Sequence, residues 1–180
     1  DGYHALPTHA TYMDYLLSAG GNLVGKTFEG PAADLGNGHA VVEATSPTGR
    51  PIAQWAPRWG EVGKREVEAA LAALQNRVGP DRAQRIATMN RNIVIFPNLA
   101  IVDSLSLTVR TFYPVAPDLM HVHSWALAPK EESPTMRERR VTSFLEFFAP
   151  GGLGVPDDIE ALEACQRGYG NRAELGWNDI

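Results

Sequence analysis

The feature that most constrains this fold is a switch in hydrophobic period along the chain. Between residues 92 and 128, apolar and polar side chains alternate in four consecutive runs, which is the period of a β-strand. The runs are Asn92–Phe96, Leu99–Asp103, Leu105–Val115 and Leu119–Ala128. Because the connections between them are short, consecutive strands are expected to pair antiparallel. This stretch is therefore predicted to form one antiparallel sheet.

Helical periodicity dominates on both sides of this sheet. The predicted helices are Ala10–Ser18, Lys64–Val78, Asp81–Met89, Pro134–Phe148 and Asp157–Tyr169. Residues 20–38 are predicted to be mostly loop, with room for a short strand. Gly38–Thr45 and Pro51–Trp55 are predicted as two more strands joined by a turn. Since helices and strands do not alternate, the 180 residues are predicted to form one α+β domain.

Composition excludes several classes of function. The net charge of −5 argues against a broad phosphate-binding surface, and no apolar run approaches the roughly 20 residues of a membrane span. We therefore expect neither a nucleic-acid nor a membrane partner. The single cysteine, Cys165, excludes an internal disulfide and fits a reducing, cytoplasmic location. Because the chain opens at Asp1 directly into a histidine-bearing segment, we expect it to be a fragment of a longer protein.

A possible metal site is divided between the two ends of the chain. His4 and His9 would point roughly 140° apart on an ideal helix, but Pro7 between them should kink or break that helix and let both imidazoles face one point. Near the other end, Asp157 and Glu160 fit a capping box, which leaves Asp158 without a structural task. Two histidines and one carboxylate form the facial arrangement of non-haem Fe(II) oxygenases. Two nearby histidines are also common without a metal, so spacing alone leaves both interpretations open.

These motifs resemble a known family. Asp1-Gly2-Tyr3-His4 with His9, and the later Asp157-Asp158 pair after a glycine-rich turn, look like the catalytic domain of Rieske-type aromatic-ring-hydroxylating oxygenases, large (α) subunit. Supporting stretches are residues 36–39 (GNGH), 95–99 (IFPNL) and 109–114 (VRTFYP). The resemblance implies a helix-grip (START-like) fold, in which a curved antiparallel sheet wraps around a long helix. It also implies that His4, His9 and Asp158 are the iron ligands.

The resemblance further implies an activity and its partners. Such enzymes use non-haem Fe(II), O2 and electrons from a Rieske [2Fe-2S] cluster to cis-dihydroxylate an aromatic ring. Asp1 matches an aspartate that links an iron-ligand histidine to the Rieske cluster of a neighbouring subunit. The expected partners are an aromatic substrate, neighbouring α subunits in a trimer, often small β subunits, and ferredoxin or reductase electron donors. The Rieske domain is absent from residues 1–180, which are thus interpreted as an N-terminally truncated catalytic domain that would not turn over alone.

The substrate pocket is predicted less directly. The residues expected to line it are Leu6, Leu16, Phe96, Leu99, His121, His123, Phe144 and Phe148. The run of residues 1–15 looks most like branches that attack aromatic carboxylates such as cumate. Arg110 or Arg91 could pair with such a carboxylate, although each could equally be a solvated arginine on a strand. The alternative function is a non-catalytic helix-grip module that binds a hydrophobic ligand without metal.

Overall fold

The computed structural model describes residues 4–18, 30–45, 50 and 54–176. Its helices are α1 (Ala5–Thr8), α2 (Ala10–Ser18), α3 (Gly60–Val78), α4 (Pro80–Thr88), α5 (Pro134–Phe147), α6 (Val155–Tyr169) and α7 (Arg172–Leu175), with a 3-10 turn at Pro57–Trp59. Its strands are β1 (Ala32–Gly36), β2 (His39–Thr45), β3 (Met89–Ile95), β4 (Leu99–Asp103), β5 (Leu107–Ala116) and β6 (Leu119–Leu127). In this part of the chain, no helix is long and apolar enough to cross a membrane.

The six strands form one antiparallel sheet in chain order. The α+β class and the antiparallel pairing predicted from sequence are confirmed. β1 joins the sheet through a tight hairpin at residues 36–38, where all three residues have positive φ (82°, 55° and 80°), a conformation that favours Gly-Asn-Gly. Residues 51–53 of the strand predicted over Pro51–Trp55 lie outside the described residues. At its other end the prediction is wrong, because Gln54 forms only an isolated bridge with Arg50.

The two faces of the sheet have different surroundings. Residues directly opposite in a ladder share a face, so Val102, Thr108 and Ala126 lie on one face, with Ala100, Arg110 and Ser124 beside them. We call this the inner face, because Val102 packs against a core cluster of Tyr12, Leu16, Leu105 and Phe148. This cluster joins α2 and the end of α5 to β4 and to the loop before β5. It therefore fixes the residues that precede α2 relative to those that follow α5.

A second, smaller core joins the helices α3 and α4. The apolar stripe of α3 packs against α4, where Ala83 and Ala87 are buried and small enough for close helix approach. Gly79 ends α3 and caps α4 with a φ of 83°, which explains a glycine between the two helices. Both predicted helices are confirmed, although α3 begins at Gly60, four residues earlier than predicted.

Candidate metal centre

His4 and His9 are brought together by a break in the N-terminal helical segment. α1 ends at Thr8 and α2 begins at Ala10, so the predicted break falls at His9 itself, two residues after Pro7. The break leaves each helix with its own hydrogen bonds: the Thr8 amide donates to the His4 carbonyl at 3.2 Å, and the Met13 amide donates to the His9 carbonyl at 3.0 Å. As a result, the Nε2 atoms of His4 and His9 lie 3.1 Å apart.

Asp158 approaches the same point from the first turn of α6. Its Oδ1 lies 2.9 Å from His4 Nε2 and 3.3 Å from His9 Nε2. The three residues therefore each offer one ligand atom, and these three atoms lie within 4.8 Å of one another. The side chain of His9 is buried, that of Asp158 is mostly buried, and that of His4 is 43% exposed. The centre is therefore closed on one side and open on the other.

The predicted capping box at residues 157–160 is wrong. α6 begins at Val155, its N-cap is Gly154, and no side chain caps it, so Asp157 lies inside the first turn. The sequence prediction overlooked that Pro156 fits the first turn of a helix, where its missing amide is not needed. Asp157 instead directs its carboxylate toward His9, with Oδ2 3.6 Å from Nδ1. The two carboxylates thus approach different nitrogens of the His9 ring: Asp157 faces Nδ1 and Asp158 faces Nε2.

Electrostatics favour an ionised Asp158. Burial acts to raise the pKa of this carboxyl, but its interactions with His9, His4 and Arg110 prevail, and the pKa lies below its ordinary value. An ionised carboxylate beside two imidazole nitrogens is the donor set that first-row divalent metals bind.

Three buried polar atoms here test whether the residues fit such an ion. His9 Nδ1, Asp157 Oδ2 and Asp158 Oδ1 form no well-aligned hydrogen bond within the described part of the chain, although Asp158 Oδ1 lies within 3.3 Å of both Nε2 atoms. Unsatisfied buried polar groups are rare, and a cluster of them indicates a strained, catalytic or ion-binding site. An ion held by Asp158 Oδ1 and the two Nε2 atoms would leave His9 Nδ1–H to face Asp157, which is the usual outer contact of a ligand histidine. The residues therefore fit a mononuclear iron.

An aromatic wall holds the buried side of the centre. The ring of Phe147 meets that of His9 edge-on at 4.9 Å between centroids, and it also contacts Tyr12 at 4.6 Å and Phe148 at 4.9 Å. Sequence analysis missed Phe147, because only its neighbours Phe144 and Phe148 fall on the helical stripe. The glycine-rich turn that follows Phe147 could have indicated its role, because a Cβ atom at Gly154 would clash with the Phe147 ring.

The other predicted site residues are only partly brought to this region. Leu16 and Phe148 are buried in the core cluster, and Phe144 packs against it. Leu99, His121 and His123 lie on the opposite, outer face of the sheet, and both histidines are exposed. Phe96 is 60% exposed, beside the β1–β2 hairpin. Asp1 lies outside the described residues, as does the side chain of Leu6.

An α+β domain in which two histidines and one carboxylate converge belongs to the class that can hold a mononuclear metal with open positions. The family model described as "Ring hydroxylating alpha subunit (catalytic domain)" matches residues 1–175, and the chain belongs to this family. This confirms the resemblance that the sequence motifs indicated.

Two curated relatives support this assignment. The large subunit of 2-halobenzoate 1,2-dioxygenase from Burkholderia cepacia is 38% identical over 116 residues, which is 64% of this chain and 25% of the relative. The α subunit of toluate 1,2-dioxygenase from Pseudomonas putida is 31% identical over 191 residues, which is 100% of this chain and 38% of the relative. The chain thus spans about a quarter to two fifths of the length of these relatives.

A solved structure shares the fold. Naphthalene 1,2-dioxygenase from Rhodococcus sp. bound to indole superposes with a TM-score of 0.68 and 24% identity, over 93% of this chain and 38% of that chain. At this identity the likeness establishes the architecture alone.

Proposed function

We propose that this chain is the iron-binding catalytic domain of an oxygenase that places two cis hydroxyl groups on the ring of an aromatic acid. The observation that carries the proposal is the convergence of His4, His9 and Asp158 on one point. The family supports the reaction class. Two relatives, a halobenzoate and a toluate dioxygenase, support an aromatic carboxylate as the substrate class.

When bound, iron supplies the binding and activation of O2. The chain's own residues would hold and orient it: His4 and His9 present Nε2, and Asp158 presents a carboxylate that stays ionised because its pKa is lowered. The ring of Phe147 fixes the plane of His9, and the core cluster behind it excludes water from that side. The substrate and O2 would reach the centre from the side on which His4 is exposed.

The proposal includes partners beyond this chain. Electrons would come from a Rieske [2Fe-2S] cluster in another part of the intact polypeptide, which the relatives are long enough to contain. Asp1 would link His4 to the cluster of a neighbouring α subunit in a trimer, with or without β subunits, and a ferredoxin or reductase would supply the electrons. We also propose a cytoplasmic location, with which the one free, exposed cysteine is compatible.

The decisive experiment is metal loading of the intact polypeptide that contains this chain. The wild type and two variants, Asp158→Ala and the matched control Glu160→Gln, would be loaded anaerobically with Fe(II). Iron content would be measured by elemental analysis, and the site would be followed by electron paramagnetic resonance of the nitric oxide adduct. Glu160 is a suitable control because it lies on the same helix, is exposed, and has its only ion pair among the described residues with Arg167.

We expect one mononuclear iron in the wild type and in the control, and its loss in Asp158→Ala with the fold retained. With benzoate, electron donors and isotopically labelled O2, the wild type should yield a diol whose two new oxygens both come from O2. A wild-type protein that binds aromatic acids but refuses Fe(II) would contradict the proposal and favour the non-catalytic binding module.

A further inference from the structure

Among the described residues, Arg110 is the one half-buried or buried arginine that has no carboxylate in ion-pairing contact. It lies on the inner face of β5 and is half-buried. The other half-buried or buried arginines of the described residues all form ion pairs: Arg50 with Asp103, Arg58 with Glu146, Arg91 with Glu43, Arg139 with Glu66, and Arg140 with Glu132. For Arg110, no hydrogen bond or ion pair comes from the described part of the chain, and its Nε is buried without a partner. A desolvated guanidinium without such a partner is costly, because buried charges are normally paired.

Arg110 interacts with both an aromatic ring and a residue of the metal centre. Its guanidinium stacks over the ring of Phe148 at 5.2 Å. Its charge also interacts with Asp158, although no ion pair within 4.0 Å joins them. Burial lowers the pKa of Arg110, which remains charged at neutral pH because an arginine starts from so high a value. A fixed positive charge thus lies beside the proposed iron site.

The side chains directly opposite Arg110 in the sheet are short. Its direct cross-strand neighbours are Ala100 on β4 and Ser124 on β6. On an antiparallel sheet, directly opposite residues are the nearest side chains, so a long residue in either place would cover the guanidinium. Alanine and serine are too short to cover the guanidinium from these two positions.

From these observations we infer that Arg110 binds the carboxylate of an aromatic acid substrate and sets the preference of the site for anionic over neutral rings. The inference rests on the proposed function and adds the residue that selects its substrate. A guanidinium can hold a carboxylate by two parallel hydrogen bonds, and the ring of Phe148 fixes its plane. Arg91, the other arginine that the sequence offered for this role, lies on the outer face and is taken up by Glu43 at 2.6 Å.

The test compares two probes of the same shape, benzoate and its neutral analogue benzamide. Their binding to the iron-loaded intact polypeptide would be measured by titration calorimetry for the wild type, Arg110→Gln and the matched control Arg91→Gln. We expect Arg110→Gln to weaken benzoate binding by about 10- to 100-fold, the equivalent of the charge-assisted hydrogen bonds lost. Benzamide binding and iron content should not change, and Arg91→Gln should bind both probes as the wild type does.

Several results would overturn the inference. If the wild type binds benzamide as tightly as benzoate, the inference is refuted before any variant is tested. Unchanged benzoate binding in Arg110→Gln, or an equal loss of both probes, would also refute it, because it would leave only a packing role against Phe148. Loss of iron in this variant would show that Arg110 acts through Asp158 instead.

A more conservative variant covers the case in which Arg110→Gln does not fold. Arg110→Lys keeps the charge but lacks the planar fork, so we expect weaker benzoate binding and unchanged benzamide binding. Benzoate affinity equal to that of the wild type would refute the two-bond pairing. If the wild type binds iron and hydroxylates a ring while both Arg110 variants behave like it, the inference fails and the proposed function stands. A wild type that binds neither iron nor an aromatic compound contradicts both.

Discussion

A single methyl group added at Gly154 should disturb the metal centre indirectly, through the ring of Phe147. Gly154 is the N-cap of α6, and a Cβ built on it would lie 2.6 to 2.7 Å from three carbons of the Phe147 ring. Its φ of −111° is accessible to any residue, so Gly154→Ala introduces a steric clash and no backbone strain. Non-bonded carbons prefer about 3.5–4.0 Å, so the ring must retreat by roughly 1 Å.

The cost follows from what surrounds that ring. Phe147 is held by Tyr12 and Phe148 as well as by His9, and close-packed interiors have little room to absorb such a shift. Overpacking of this kind typically costs 1–3 kcal/mol, and we expect about 2 kcal/mol of unfolding free energy. Because the displaced ring also sets the plane of His9, iron affinity should fall together with stability.

Gly151→Ala is the matched control. Gly151 lies in the same turn, its Cβ would meet nothing within 4 Å, and its backbone does not require glycine. We expect this variant to stay within about 0.5 kcal/mol of the wild type. The assays are urea unfolding of the intact polypeptide followed by tryptophan fluorescence, and Fe(II) titration. Equal stability and equal iron affinity of the two alanine variants would refute the argument that Phe147 transmits the clash.

Three further perturbations test other parts of the domain. Asp157→Ala removes the carboxylate that faces His9 Nδ1 at 3.6 Å, so iron affinity should fall about 10- to 100-fold in an Fe(II) titration. Asp157→Asn should keep much of this affinity. If Asp157→Ala binds iron as tightly as the wild type does, Asp157 has only a helix-dipole role. Burial raises the pKa of Tyr12 to about 12, so the neutral phenol contributes stability below pH 10 that is lost as the pH rises toward 12, roughly 2–3 kcal/mol in all. Unfolding measured from pH 8 to pH 12 should show this loss in the wild type, and a Tyr12→Phe variant with the same pH dependence would contradict it. Ala83→Leu should cost about 1–3 kcal/mol in urea unfolding, since Ala83 is fully buried between α3 and α4, while Ala73→Leu on the exposed side of α3 should cost almost nothing.

The sheet and most helices could be predicted because their signals are local. β4 runs over Leu99–Asp103 as predicted, and α2 over Ala10–Ser18, since each follows from a period that neighbouring residues carry by themselves. The predictions failed where two local rules competed. At residues 155–158 an acidic N-cap pattern was preferred to the first-turn preference of Pro156, and the helix begins at Val155.

The faces of the sheet could not be assigned from alternation alone. Alternation shows that His121, His123 and Trp125 share a face, and the structure agrees, but it does not say which face meets the core. That choice depends on the helices α2 and α5, which are distant in sequence and pack on the side of Val102. The same information separates Arg110 from Arg91, which the sequence left equivalent.

The ligands themselves explain why spacing alone left the metal centre as one of two open interpretations. His4 and His9 precede the sheet and Asp158 follows it, so no spacing rule links them, and each histidine alone resembles an ordinary polar residue. What links them is packing: the cluster of Tyr12, Leu16, Leu105 and Phe148 ties α2 to the end of α5, and the turn through Gly154 then delivers Asp158 to His9. The three ligand atoms therefore meet only while this core is intact. Because the same contacts hold both the fold and the ligands, changes that loosen this cluster should weaken metal binding before they abolish the sheet, whose strands pair mostly with their neighbours in sequence.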